Sequence, residues 1–226
     1  MRSVWLGTVL VLLLHASAQA YDVEERWKLA DHRSDGETEF AFFVEAERTE
    51  GRPAFKIETT FDVSPFVAAT MLMDGMVSAS DVPSGQRRRV LERSEREAVV
   101  YTFIDLPFLL SDRELALRVV HSEDRATGIH RIDWLEANEL LPAVQDGVVR
   151  LNGATGYWEF RPDGKGGTLA THMTQTEIGG SIPNSIGYRL MKSQALDTVD
   201  RFRSKLRTRQ RTHVAAPPDT QGSRDE

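Results

Sequence analysis

From Val90 to Ile178 apolar and polar residues alternate in short runs separated by turn residues, a period of two that predicts strands. The runs are Arg89–Arg93, Ala98–Asp105, Leu115–His121, Ile129–Glu136, Val148–Leu151, Gly156–Arg161 and Thr168–Ile178. Between the last two, Asp163-Gly164-Lys165-Gly166-Gly167 has the composition of a hairpin turn. Two more strands are expected earlier, Phe40–Ala46 and Ala54–Phe61, joined by Gly51-Arg52-Pro53. A helical period replaces the alternation in three places. Tyr21–Leu29 is expected to form a short helix with Val23, Trp27 and Ala30 on one face. Ser64-Pro65 reads as an N-cap with Pro in the first turn, followed by Phe66, Ala69, Thr70, Met73 and Val77 at helical spacing. Gly180-Ser181-Ile182-Pro183 then opens a long helix whose apolar side is expected to carry Ile186, Leu190, Val199, Phe202 and Leu206. Strands arriving as hairpins, with helices set apart from them, predict an α+β fold.

The first twenty residues stand apart. Arg2, an apolar run from Val4 to Leu14 and the small-x-small site Ala18-Gln19-Ala20 together predict a secretory signal peptide cleaved after Ala20. The run is too short to span a bilayer, which takes roughly 20 residues. The expected organisation is a signal peptide at 1–20, one domain at 21–211 and a disordered polar tail at 212–226. Removing Arg2 takes the formal net charge from −6 to −7, which argues against bulk nucleic-acid binding. Cys is absent, so disulfides, thiol nucleophiles and Cys-ligated metals are excluded. A cysteine-free exported chain fits a Gram-negative-type periplasm.

Three segments in order carry a family resemblance. Tyr101, Leu106-Pro107-Phe108 and Ser111-Asp112-Arg113-Glu114 are similar to a "Y…lPfP…sdRD" stretch. Val149-Arg150 and Gly156-Tyr157-Trp158-Glu159-Phe160-Arg161-Pro162 resemble "vR…G.W.l.P", and Gly179-Gly180-Ser181-Ile182-Pro183 resembles "dpGG.iP". Together they resemble the START family, the lipid-transfer domains related to the steroidogenic acute regulatory protein. The resemblance spans roughly Trp27 to Leu206. Glu114 stands where that family usually has Asp, and Leu109-Leu110 replace what is often a second proline.

The resemblance implies a helix-grip fold: a curved antiparallel sheet around the C-terminal helix, with an apolar tunnel for one lipid or sterol-like molecule. Leu115, Leu117 and Val119 share one face of their strand, and Ile132 and Trp134 one face of theirs, as such a tunnel needs. The lining is expected to include Val100, Thr102, Arg113 and Met173 from the strands, Met73 from the first helix and Ile186, Leu190 and Val199 from the last. In sterol-binding relatives a buried acid and base flank the Arg motif; spacing from Arg113 puts Val100 and Val119 there, both apolar. Arg113 either anchors a headgroup or shapes the start of its strand through Asp112, Glu114 or backbone carbonyls. The loop Ser122–Gly128 is expected near the tunnel mouth, as a polar gate.

Other chemistry is sparse. His121, His130 and His172 fall on or beside strands, and a neutral histidine there either orients a hydroxyl, serves as a base, or is simply packed. No metal pattern and no G-x-S-x-G elbow occurs, so no metal, no cofactor and no catalytic residue is expected. Glu136 and Glu139 are expected to cap a strand and face water. The ladder Arg201, Arg203, Lys205, Arg207, Arg209, Arg211 is expected to form a solvated helix face, or to touch an anionic membrane surface. The expected function is an exported binding or transfer protein for a hydrophobic ligand. The alternative is an enzyme on the same scaffold, a cyclase, hydrolase or isomerase using His130 or His172.

Overall fold

The computed structural model describes residues 26–34, 39–47, 51–106, 110–177, 179–180 and 182–215. The expected signal peptide, residues 21–25 of the expected first helix and residues 216–226 of the expected tail lie outside them, as do residues 35–38, 48–50 and 107–109. Ten strands form one sheet: β1 (Trp27–Ser34), β2 (Glu39–Glu45), β3 (Ala54–Phe61), β4 (Gln86–Arg93), β5 (Glu97–Ile104), β6 (Asp112–Asp124), β7 (Ile129–Glu136), β8 (Val148–Arg150), β9 (Thr155–Pro162) and β10 (Thr168–Gln175). Among the described residues two helices accompany it, α1 (Pro65–Val77) and α2 (Asn184–Ala215), with a 3-10 turn at Asn138–Leu140. The sheet order is β1-β2-β3-β10-β9-β7-β6-β5-β4, antiparallel throughout, with β8 parallel to β6. This is a helix-grip fold: a large antiparallel sheet closed by the C-terminal helix.

Alternation along each strand decides what faces inward. Phe42 and Val44, Phe55 and Ile57, Trp158 and Phe160, Ile132 and Trp134, and Ala98 and Val100 all join the main core. That core meets α1 through Ala68, Ala69, Leu72, Met73 and Val77, and α2 through Ala195, Val199, Phe202 and Leu206. Aromatic rings dominate where α2 lands. Phe202 stands edge-on to Phe61, with centroids 5.2 Å apart, and lies 5.6 Å from Trp158.

Local chemistry explains the boundaries. The Ser64 side chain accepts from the Val67 backbone N–H, and Pro65 occupies the first turn, where a missing N–H costs nothing. At the β9–β10 hairpin Asp163 Oδ1 accepts from the Lys165 and Gly167 amides at 2.7 and 2.8 Å. Those amides hold its carboxyl below the usual range, while Gly164 and Gly166 take the positive φ values the turn requires.

The structure corrects several expectations. Trp27–Leu29 is strand, not helix: β1 pairs with β2 from Trp27↔Glu45 to Ser34↔Glu39, and Trp27 stacks under Arg26. Pairing with an open sheet edge outweighs a short helical pattern. Phe66 lies on the outside of α1 at 61% exposure, whereas Ala68 and Leu72 turn inward.

Candidate functional site

The concave face ends near the opening of α2, and the packing there is less complete. Leu115 joins Leu151 and Ala154 in a small cluster of its own, with Ile104 against it, and Leu117 touches both this cluster and the main core. Thr102, Ile104 and Leu117 are half-buried, as are Tyr188 and Met191 on α2. Further along the helix Ala195, Val199, Phe202 and Leu206 are fully packed. Helix α2 packs its first turns on β2 and β3, where Tyr188 lies 5.0 Å from Phe55 and Lys192 stands 4.9 Å over Phe42, and the chain enters it at Gly179-Gly180 beside Arg113, Val149 and Leu151.

The expected lining residues divide accordingly. Val100, Val119, Ile132 and Trp134 are buried on the concave face, and Met73 and Val199 meet them from the two helices. Thr102 and Leu115 are directly paired across β5 and β6, as are Val100 and Leu117. Met173 does not join them. It is out of phase with buried Ala170 and His172, and its strand partners are Tyr157 and Lys56, so it belongs to the convex face. Ile186 and Leu190 are 38% and 37% exposed. The inward stripe of α2 is Tyr188, Met191, Ala195, Val199, Phe202 and Leu206, and the pair Ile186/Leu190 lies off it.

Arg113 is 4% exposed at the meeting point of β6 and the helix opening. It donates through Nη1 to the Ser111 carbonyl and through Nη2 to the Gly179 carbonyl at 3.4 Å. Of the two readings the carbonyl-binding one describes these contacts, and burial pulls its pKa down. A Cβ on Gly180 would lie 3.2 Å from Arg113 Nη2 and from Val149, at a φ of 65°. The glycine pair is thus needed where the chain crosses Arg113. Glu114 points to the opposite face, where Arg150 pairs with it at 2.5 Å and the Tyr101 hydroxyl donates to it at 3.0 Å.

His172 is a buried polar group on the concave face. It is 5% exposed, stacked on Trp158 with centroids 4.5 Å apart and 5.6 Å from Trp134. Its Nδ1 has no hydrogen-bond partner. Burial pushes the imidazole pKa down to about 4, so the ring is neutral at pH 7. A neutral ring with a free nitrogen among indoles can hydrogen-bond one hydroxyl or carbonyl of an otherwise apolar ligand.

The sequence reading missed a pairing between two histidines. His121 Nε2 and His130 Nδ1 are 3.1 Å apart across the β6–β7 hairpin, and Phe66 of α1 meets His130 edge-on. Their signal was the hairpin register, in which His121 faces Ile132, two residues beyond His130. Burial, then His130 and Arg96, lower the His121 pKa. Of the expected gate at Ser122–Gly128, residues 122–124 belong to a strand and residues 125–128 form a turn. Strand β6 runs to Asp124, whose carboxylate ties the turn by accepting from Ala126 N–H and the Thr127 hydroxyl. Glu136 accepts from the Gly153 amide, while Glu139 is exposed. Among the described residues no group of three metal-ligating side chains occurs, and no helix is long and apolar enough to cross a membrane.

No family model matches the chain. An uncharacterised protein of Pseudomonas aeruginosa is 25% identical over 209 residues, covering 92% of this chain and all of that one. A STAR-related lipid transfer protein fragment from Xanthomonas axonopodis superposes with a TM-score of 0.66 at 22% identity, over 80% of this chain and 99% of that one. Human STARD10 gives the same TM-score at 14% identity, over 91% of this chain and 82% of that one. The fold is that of the START domains.

Proposed function

We propose that this protein is an exported, non-enzymatic carrier or binder of a hydrophobic ligand, lipid or sterol-like, held without a cofactor between the concave sheet face and the first half of α2. One observation carries the reading: on the concave face half-buried Thr102 and Leu117 adjoin the small Leu115–Leu151 cluster, apart from the main aromatic core and beside the chain's entry into α2 at Gly179-Gly180. Ligand burial there gains roughly 0.8 kcal/mol per methylene, and His172 supplies one polar contact. Loosening of the first turns of α2 would admit and release the ligand. The lipid-transfer name of the Xanthomonas axonopodis neighbour agrees with this reading, and the leader-like residues 1–20 support export. Exposed Arg207 and Arg209 near the end of α2 would assist contact with an anionic membrane, each contributing on the order of 1 kcal/mol.

Native mass spectrometry of the purified protein tests this. A co-purifying lipid that disappears from Leu117→Trp, with the fold intact by circular dichroism, is the expected result. An empty wild-type protein that takes up nothing from extracted lipids would sink the proposal. Turnover of a substrate, abolished by His130→Ala or His172→Ala, would favour the enzyme instead.

A further inference from the structure

A second concavity lies away from this face, between α1, α2 and the edge strand β4. It encloses about 100 Å³, room for several water-sized groups. Its floor is apolar, with Met76 from α1 and Phe202 from α2. Its rim is charged: Arg88 from β4, Arg201 and Lys205 from α2, and Asp81 from the segment after α1. Arg201 and Lys205 are one helical turn apart and project side by side. Arg88 turns in from the sheet edge and donates through Nη1 to the Gly75 carbonyl at 2.6 Å, which leaves its other guanidinium nitrogens for the cleft. Lys205 pairs with Asp81.

Three cations thus share one carboxylate in a partly enclosed space. Burial is the main cause that lowers the Arg88 pKa; Asp81 raises it and Arg201 lowers it, so both charges act on the guanidinium across the cleft. Crowding of this kind costs free energy unless an anion relieves it. We infer that this cleft binds a phosphate group, free or carried on a lipid headgroup, with Arg88, Arg201 and Lys205 as donors and Asp81 as the counter-ion that holds Lys205 until the phosphate arrives. Guanidinium forks match the planes of phosphate oxygens, and the ammonium adds a movable third donor. The apolar floor suits the carbon attached to an esterified phosphate. The site is independent of the concave face and stands whether or not that face carries a lipid.

The test is titration of the purified protein with inorganic phosphate by calorimetry at constant ionic strength, beside co-sedimentation with phosphatidylglycerol or phosphatidylcholine vesicles. Arg201 and Lys205 are exposed, so Arg201→Ala/Lys205→Ala should keep the melting temperature while weakening phosphate binding at least tenfold. Asp81→Asn removes the competing carboxylate and should tighten binding several-fold. Free phosphate binding identifies a soluble ligand. Binding to phosphatidylglycerol vesicles alone, lost in the double variant, identifies a headgroup, and either result supports the site. No binding to phosphate or to phosphatidylglycerol, binding unchanged in the double variant, or no tightening by Asp81→Asn overturns it.

Discussion

Replacing His172 by Phe should remove a defined part of the acid sensitivity of this fold. The wild-type imidazole has a folded-state pKa of about 4 against an ordinary value of 6.5, because charging it means burying a cation between Trp158 and Trp134. A depressed basic group binds fewer protons folded than unfolded. Its stabilisation is complete above pH 6.5 and falls away as the pH drops towards 4. Between pH 7.5 and 4.5 the loss from this one residue amounts to roughly 2–3 kcal/mol. Phe keeps an aromatic ring against Trp158 and carries no proton. Urea unfolding at both pH values, for wild type and His172→Phe, isolates the contribution as a difference of differences, since carboxylate and other histidine titrations are common to both proteins. The variant should lose roughly 2–3 kcal/mol less than wild type on acidification. Equal losses would mean that His172 is solvated or paired in the native state, and would remove it as the neutral polar contact of the ligand site.

Two further outcomes follow from packing. Gly156→Ala should destabilise by about 1–3 kcal/mol, read from the urea midpoint, because a Cβ there overlaps the Trp134 ring and the Met173 carbonyl. Phe202→Ala should cost about 3–5 kcal/mol while Ile186→Ala stays within about 0.5 kcal/mol, since Phe202 contacts Phe61, Trp158 and Phe160 and Ile186 is partly in water. Comparable losses at the two positions would contradict the assigned face of α2.

Alternation with period two is a local property, so the strands from β2 to β10 were legible in the chain to within a few residues, and the Ser64-Pro65 cap and the Asp163–Gly167 turn were legible for the same reason. The order of motifs pointed to the helix-grip fold before any contact was known. Other features depended on residues distant in sequence. Trp27–Ser34 became a strand because β2 offered an unpaired edge. Helix α2 turned Tyr188 and Met191 inward, not Ile186 and Leu190, because the aromatic floor at Phe61 and Trp158 fixed its rotation through Phe202. The same rotation withdrew Arg203 from the expected solvated ladder: it donates to Thr59 Oγ1 at 2.6 Å, whereas Arg201 and Lys205 face the cleft opposite Arg88. Residues two apart on a helix point about 200° from one another, so an alternating ladder cannot remain one face. Which of its cations meet solvent, core or one another was decided only when the sheet and both helices were in place.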